Sequence, residues 1–128
     1  MQTVQTDQAP LPLGHYSQAM AHGGLVFVSG QLPINPATGA AAGPSIEEQM
    51  EQALANVAAI LEAADSGLDR MLKVTIYIAD MALWGRANAV YARVLGEHKP
   101  ARAVVPTLPL HHDYLVEIEA IAAIGDAS

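Results

Sequence analysis

The sequence predicts an α+β fold in which two helices lie on one face of a mixed sheet. Three observations carry this: a capping pattern at Ser45 that opens a long amphipathic segment, a second amphipathic segment after Asp80, and apolar alternation between and beyond them. With 128 residues, 52% of them hydrophobic and 15% charged, the chain reads as one domain over 1–128 with a core that needs no disulfide.

Residues 1–13, polar and then proline-containing, read as a loosely ordered leader. Between Tyr16 and Gly30 two short strand-like pieces flank Gly23-Gly24, which is turn chemistry for a β-hairpin. Asn35-Pro36-Ala37-Thr38-Gly39 is a further turn. Ser45 and Glu48 have the S-x-x-E spacing in which each side chain caps the other's backbone N–H. Ile46, Met50, Leu54, Val57, Leu61 and Ala64 then form one apolar stripe, with Glu47, Glu51 and Glu62 outside it, up to a stop at Gly67. Leu72, Val74, Ile76 and Ile78 alternate with Lys73, Thr75 and Tyr77 as a half-buried strand. Asp80 opens a second helix to about Glu97, with Leu83, Ala87, Val90, Tyr91 and Val94 inward and Pro100 as its stop. Ala103–Val105 is a short strand and Leu115–Ile124 a longer one, giving the order ββαβαββ. Helices on one face leave the other face of the sheet uncovered, and association with further copies is the simplest cover. The expected state is a homo-oligomer with pockets where subunits meet.

Composition removes several classes of function. Six basic residues against 13 acidic give a net charge of −7, and none of the basic residues precedes Arg70. A nucleic-acid partner is therefore disfavoured. No cysteine is present, which excludes a thiolate metal site and a cysteine nucleophile. With no apolar run of membrane-spanning length and no basic signal region, a cytoplasmic protein without a membrane partner is expected.

Few side chains remain for chemistry. Arg102 stands at the opening of an apolar strand, either in a structural ion pair or as a two-pronged fork for a carboxylate. Glu117 and Glu119 share a strand face, which is either solvated or enclosed as a general acid/base site. His111-His112-Asp113 suits a loop better than a metal site, because neighbours in an extended segment point apart, and no metal ligand set is assigned. Ser29 and Gly30 end a strand, where a hydroxyl and a bare backbone N–H can meet a ligand. Tyr16 sits where a side chain can overhang a cleft. Trp84, Tyr77 and Tyr91 fit core or interface packing. No nucleotide-binding or nucleophile-elbow motif occurs.

Four segments together resemble the RidA/YjgF family of imine and enamine deaminases. They are Gly14-His15-Tyr16-Ser17-Gln18-Ala19, Leu25-Val26-Phe27-Val28-Ser29-Gly30-Gln31, Pro100-Ala101-Arg102 and Val116-Glu117-Ile118-Glu119-Ala120-Ile121-Ala122. Glu47-Glu48-Gln49, Asn56, Val74–Met81, Asn88 and Tyr91 agree with it. The resemblance implies a chorismate-mutase-like fold and a homotrimer with a central β-barrel and three clefts between subunits. It also implies hydrolysis, without a cofactor, of a reactive 2-imino acid formed from a 2-aminoacrylate-type enamine, to a 2-keto acid and ammonia. Arg102 would bind the substrate carboxylate, Glu117 would position or activate water, and Tyr16, Ser29, Gly30 and Asn88 would line the cleft. The chain departs from the family pattern at His15, where many members have proline, and at Val104, where many have cysteine. A third departure is the segment Thr107–Tyr114. If its histidines border the cleft, a larger or dicarboxylic imine, such as an aminomuconate-like compound, becomes an alternative substrate. The rival class is a non-catalytic trimeric module that binds a small carboxylate. An RNA-cleaving role, also associated with the family, fits poorly with the charge of −7.

Overall fold

The computed structural model describes residues 1–125, so the last three residues of the expected 1–128 unit lie outside the described ones. It begins with a strand where a loose leader was expected. β1 (Gln2–Val4) pairs antiparallel with β2 (Ala19–His22), Gln2 opposite Ala21, and buries Val4. The expectation for 1–13 is thereby corrected: the segment is held by a distant strand, which local composition does not report.

β2 turns into β3 (Leu25–Gln31) through Gly23 and Gly24, whose φ angles of 60° and 80° are the left-handed pair required by a two-residue hairpin. α1 (Ile46–Ala63) starts on Ser45, whose Oγ accepts from the Glu48 backbone N–H at 3.1 Å. Only half of the expected reciprocal cap forms, because the Glu48 carboxylate accepts from the Ser45 hydroxyl at 2.8 Å. The helix ends before Gly67, at a turn where Asp65 takes φ 59°. In β4 (Met71–Ile78) a register shift against its neighbour buries Met71 and turns Leu72 out to solvent, against the expected alternation. Asp80 caps a single tight turn at Met81–Leu83 rather than the helix itself. α2 (Trp84–Leu95) follows and stops at Gly96, φ 65°, ahead of Pro100. β5 (Ala101–Pro106) and β6 (Val116–Ala123) complete the chain.

The six strands form one sheet in the order β1-β2-β3-β6-β4-β5. Every pairing is antiparallel except β4 with β5, which are parallel and joined by α2, as a parallel pair requires. Val26, Val28, Val74, Ile76, Val116 and Ile118 point inward and are at most 4% exposed. They meet Ile46, Met50, Leu54, Val57 and Leu61 of α1, the predicted stripe, and Ala87, Val90 and Tyr91 of α2. Each fully buried aliphatic side chain contributes about 1.5–3 kcal/mol. The helices are linked outside the core by Glu47–Arg86 and Glu51–Arg93 ion pairs. Arg86 holds the Glu47 carboxyl down at about 2, although the pair is exposed to solvent.

The opposite face of the sheet carries Phe27, Thr75, Tyr77, Glu117, Glu119 and Ile121, with no helix over it among the described residues. Phe27 is 44% exposed. Among the described residues no helix is long and apolar enough to cross a membrane.

Candidate functional site

A cleft of about 920 Å³ opens beside β3 and β6, lined by Tyr16, Ser29, Gly30 and Glu117 among others. Its floor comes from an irregularity in the sheet. Val28 pairs with Ala120 but Gln31 pairs with Ile118, so Ser29 and Gly30 together stand against Glu119. Such a bulge re-aims side chains at the edge of a ladder. Gly30 then lies directly under the Glu117 side chain. A Cβ at position 30 would sit 2.7 Å from Oε2 and 2.9 Å from Cδ of Glu117, so only glycine permits this approach. Glu117 is half-buried, and its carboxyl is pushed above the usual range, first by burial and second by the charge of Glu119. That combination suits a group that must both take and return a proton.

Glu119 shares the strand face as expected but takes no part in the cleft. It accepts from the Tyr77 hydroxyl at 2.7 Å, a bond that raises the Tyr77 pKa, and it lines a shallow hollow with Phe27 and Lys73. The Ser29 hydroxyl donates to the Ser17 carbonyl at 2.7 Å, so its role toward a ligand is as an acceptor. Tyr16 is 54% exposed at the mouth.

The walls of the cleft are loops, and buried amides fix them. Gln18, 1% exposed, accepts from Thr6 N at 2.7 Å and donates to the carbonyls of Thr6, Ala9 and Pro10 at 3.0, 3.3 and 2.8 Å. It thereby holds the N-terminal segment whose Pro10, Leu11 and Leu13 form one side of the cleft. Asn56 donates to the Leu32 and Ile34 carbonyls at 3.1 and 2.9 Å. Gln49 donates to Gly43 O at 3.0 Å and accepts from Leu115 N at 2.8 Å, just before the strand that carries Glu117. Sequence reasoning missed the N-terminal wall, and the available signal was Gln18 itself, a carboxamide entering an apolar strand.

His111 and His112 also line the cleft. The segment is not extended: His112 and Asp113 take φ of 55° and 57°, a conformation that costs L-residues roughly 1–2 kcal/mol each. The chain folds back there, and the two imidazole centroids come within 3.9 Å of each other instead of pointing apart. Tyr114 stands edge-on to His112 at 6.0 Å. Among the described residues no three His, Asp or Glu side chains gather into a metal-binding group.

Arg102 lies elsewhere. Its register partner on β4 is Val74, a core residue, whereas the partner of Glu117 is Tyr77 on the opposite face. Within one chain the two are therefore on opposite sides of the sheet. Arg102 Nη1 donates to Asn88 Oδ1 at 2.8 Å, and the guanidinium carbon lies 4.9 Å from the Trp84 ring centroid and 5.1 Å from that of Tyr91. Trp84, Asn88 and Tyr91, spaced i, i+4 and i+7, present one helix face to the cation. Burial raises the Tyr91 pKa, which Arg102 partly offsets, and the buried Tyr91 hydroxyl has no partner among the described residues. The ion pairs there are Arg86–Glu47 and Arg93–Glu51; Arg102 has none. The structural ion pair, one of the two readings of this arginine, is not formed among the described residues.

The sequence and fold are similar to those of known proteins. The family model described as Endoribonuclease L-PSP matches residues 6–124. A RutC family protein of Pyrococcus horikoshii is 46% identical over 121 residues, 94% of this chain and 96% of its own length. The crystal structure of the YjgF gene product of E. coli superposes with a TM-score of 0.92 at 36% identity, covering 96% of this chain and 98% of its own. E. coli TdcF, crystallised with bound serine, gives 0.93 at 34% identity, covering 98% of this chain and 100% of its own. With fold, sequence and matched length in agreement, the chain belongs to the RidA/YjgF family.

Proposed function

We propose that this protein is a cytoplasmic imine deaminase, a hydrolase acting on C=N bonds that converts reactive 2-imino acids to 2-keto acids and ammonia. The observation that carries the reading is Arg102, a cation fixed by a neutral amide and two aromatic rings and in no ion pair with a carboxylate among the described residues. Its remaining N–H groups suit the planar α-carboxylate of a substrate, each charge-assisted bond contributing about 1.5–3 kcal/mol. Serine, bound in TdcF, carries the same α-carboxylate.

In the reaction R–C(=NH2+)–COO− + H2O → R–CO–COO− + NH4+, ionised Glu117 takes a proton from water as oxygen adds to the C=N carbon. It returns that proton to nitrogen, then takes the hydroxyl proton as the carbinolamine collapses to the carbonyl and passes it to the departing ammonia, which leaves as NH4+ while Glu117 is again ionised. A protonated imine is already electrophilic and no oxidation state changes, so orientation and one proton carrier suffice. Because Arg102 and Glu117 lie on opposite sheet faces of one chain, the site needs two copies. Arg102 and Asn88 come from one subunit, and Tyr16, Ser29, Gly30 and Glu117 from its neighbour, in a trimer whose open sheet faces meet in a central barrel. The family model's description names an endoribonuclease, but among the described residues of one chain no Lys or Arg lines the cleft, the neighbour brings Arg102 alone, and the chain carries −7. A phosphate backbone has no cationic track to follow there.

Imines generated in situ by an amino-acid oxidase test the proposal through the rate of ammonia release. Wild type accelerates release, Arg102→Ala and Glu117→Gln do not, and Glu117→Gln still binds the keto-acid product. No acceleration by wild type refutes the enzyme and leaves a carboxylate-binding module. The two inactive variants co-refolded in equal amounts regain about one quarter of wild-type activity if the site spans subunits, and none if each chain makes its own.

A further inference from the structure

On one chain, before a neighbour closes it, the cleft of about 920 Å³ is larger than a three- or four-carbon imino acid fills. Its lining is mostly apolar, with two departures besides Ser29, Glu117 and the tyrosines. One is Gln31, 4% exposed and donating to Ser29 O at 3.1 Å. The other is the His111–His112 pair. Both imidazoles are exposed, lie 3.9 Å apart, and make no hydrogen bond to another residue among those described. Two successive positive φ angles, at His112 and Asp113, hold them in this arrangement. Every protonation state of an imidazole retains at least one N–H donor, so the pair offers two adjacent donors to whatever occupies the cleft.

We propose that His111 and His112 form a distal subsite for a second carboxylate, so that the preferred substrates are dicarboxylic 2-imino acids. This rests on the deaminase reading for turnover, but not for binding. A carboxylate has lone pairs for both rings at once, and it is the group whose hydrogen bonds with such donors strengthen most through charge. A neutral apolar tail offers these donors no acceptor in place of the water it displaces.

The test compares imines generated from glutamate, glutamine and norvaline, which share chain length and differ at the distal group, on wild type, His111→Ala and His112→Gly. Glycine at position 112 keeps the left-handed backbone while removing the ring. Wild type shows kcat/KM roughly 10-fold or more higher for the glutamate-derived imine than for the norvaline-derived one. Each variant loses roughly 10- to 100-fold on the former and stays within twofold on the latter. Equal handling of the three imines, a preference for the glutamine-derived one, or a parallel loss on all of them in the variants overturns the subsite. Calorimetric binding of 2-oxoglutarate and 2-oxopentanoate separates the two claims. If no imine is turned over but 2-oxoglutarate binds more tightly through the histidines, the deaminase reading falls and the subsite stands. If turnover is present and the two keto acids bind alike in all three proteins, the subsite falls alone.

Discussion

An alanine at position 30 would place its Cβ 2.7 Å from Glu117 Oε2 and 2.9 Å from Cδ, where ordinary contact begins near 3.4 Å. The carboxylate therefore has to retreat by about 0.7 Å. That retreat is inexpensive for the fold, because the obstacle is the end of a jointed side chain and an off-rotamer adjustment costs about 0.5–1.5 kcal/mol. Gly30 is not among the glycines with positive φ, so alanine adds no backbone strain and lowers the entropy of the unfolded chain by about 0.4–1 kcal/mol. The terms nearly cancel, and Tm should stay within about 5 °C of wild type. Catalysis is far less tolerant, since a displacement of about 1 Å can cost on the order of 10²-fold. Gly30→Ala is thus expected to lower kcat by about 10- to 100-fold, measured as ammonia release from an oxidase-generated imine, with scanning calorimetry on the same sample. A kcat within threefold of wild type would refute the placement of the proton carrier above Gly30. A fall in Tm beyond about 10 °C would refute the separation of fold from chemistry.

Four other outcomes follow from the structure. Since the Glu117 carboxyl is raised by burial and by Glu119, the acid limb of kcat/KM against pH lies above the ordinary glutamate range near 4.3. The raised value also means that its contribution to stability is full below that range and is lost as pH rises through the folded-state pKa, so Glu117→Gln should flatten this part of the stability profile. Trp84→Leu removes one of the two rings beside Arg102 and should raise KM about 3- to 10-fold with kcat nearly unchanged, while Trp84→Phe restores most of the loss; an equal effect of both variants on Tm and none on KM would count against the ring's role. Gln18→Ala strands the Thr6 N–H and the Pro10 carbonyl, and hydrogen exchange should show protection at Thr6 falling about 10- to 100-fold with β4 and β6 unaffected.

Local chemistry was legible in the sequence, and non-local pairing was not. The Gly23-Gly24 hairpin and the Ser45 start of α1 depend on neighbours in sequence, and both are found where expected. β1 depends on β2, from which it is separated by the loop that Gln18 holds, and three residues with one apolar member give no periodicity to detect. The shared face of Glu117 and Glu119 follows from strand parity alone, but whether Arg102 joins them depends on the register of β5 against β4. Pairing with Val74 rather than with a residue of the open face sends Arg102 toward α2. The His111–His112 geometry was out of reach for a similar reason: the argument that adjacent side chains diverge holds for extended backbone, and here two positive φ angles replace it.

The buried amides explain how a sheet with an apolar core comes to fix a cleft made largely of loops. A hydrophobic contact is non-directional and cannot hold an irregular segment in one register, whereas a carboxamide has two donors and an acceptor at set angles. Gln18, Gln49 and Asn56 are each at most 5% exposed, and burying such groups unpaired would cost about 1–3 kcal/mol each. That penalty is what makes them selective: the fold keeps its stability only when the 6–10 and 32–34 segments, Gly43 and Leu115 present their backbone groups where the amides can reach them. Two of the three lie on α1, whose other face is set by the Ile46–Leu61 stripe. The packing of that stripe on the sheet is thereby carried, through directional bonds, to the loop beyond β3 and to the approach to β6. Glu117 is thus positioned from both sides, by Gly30 beneath it and by a strand entry that Gln49 pins at Leu115.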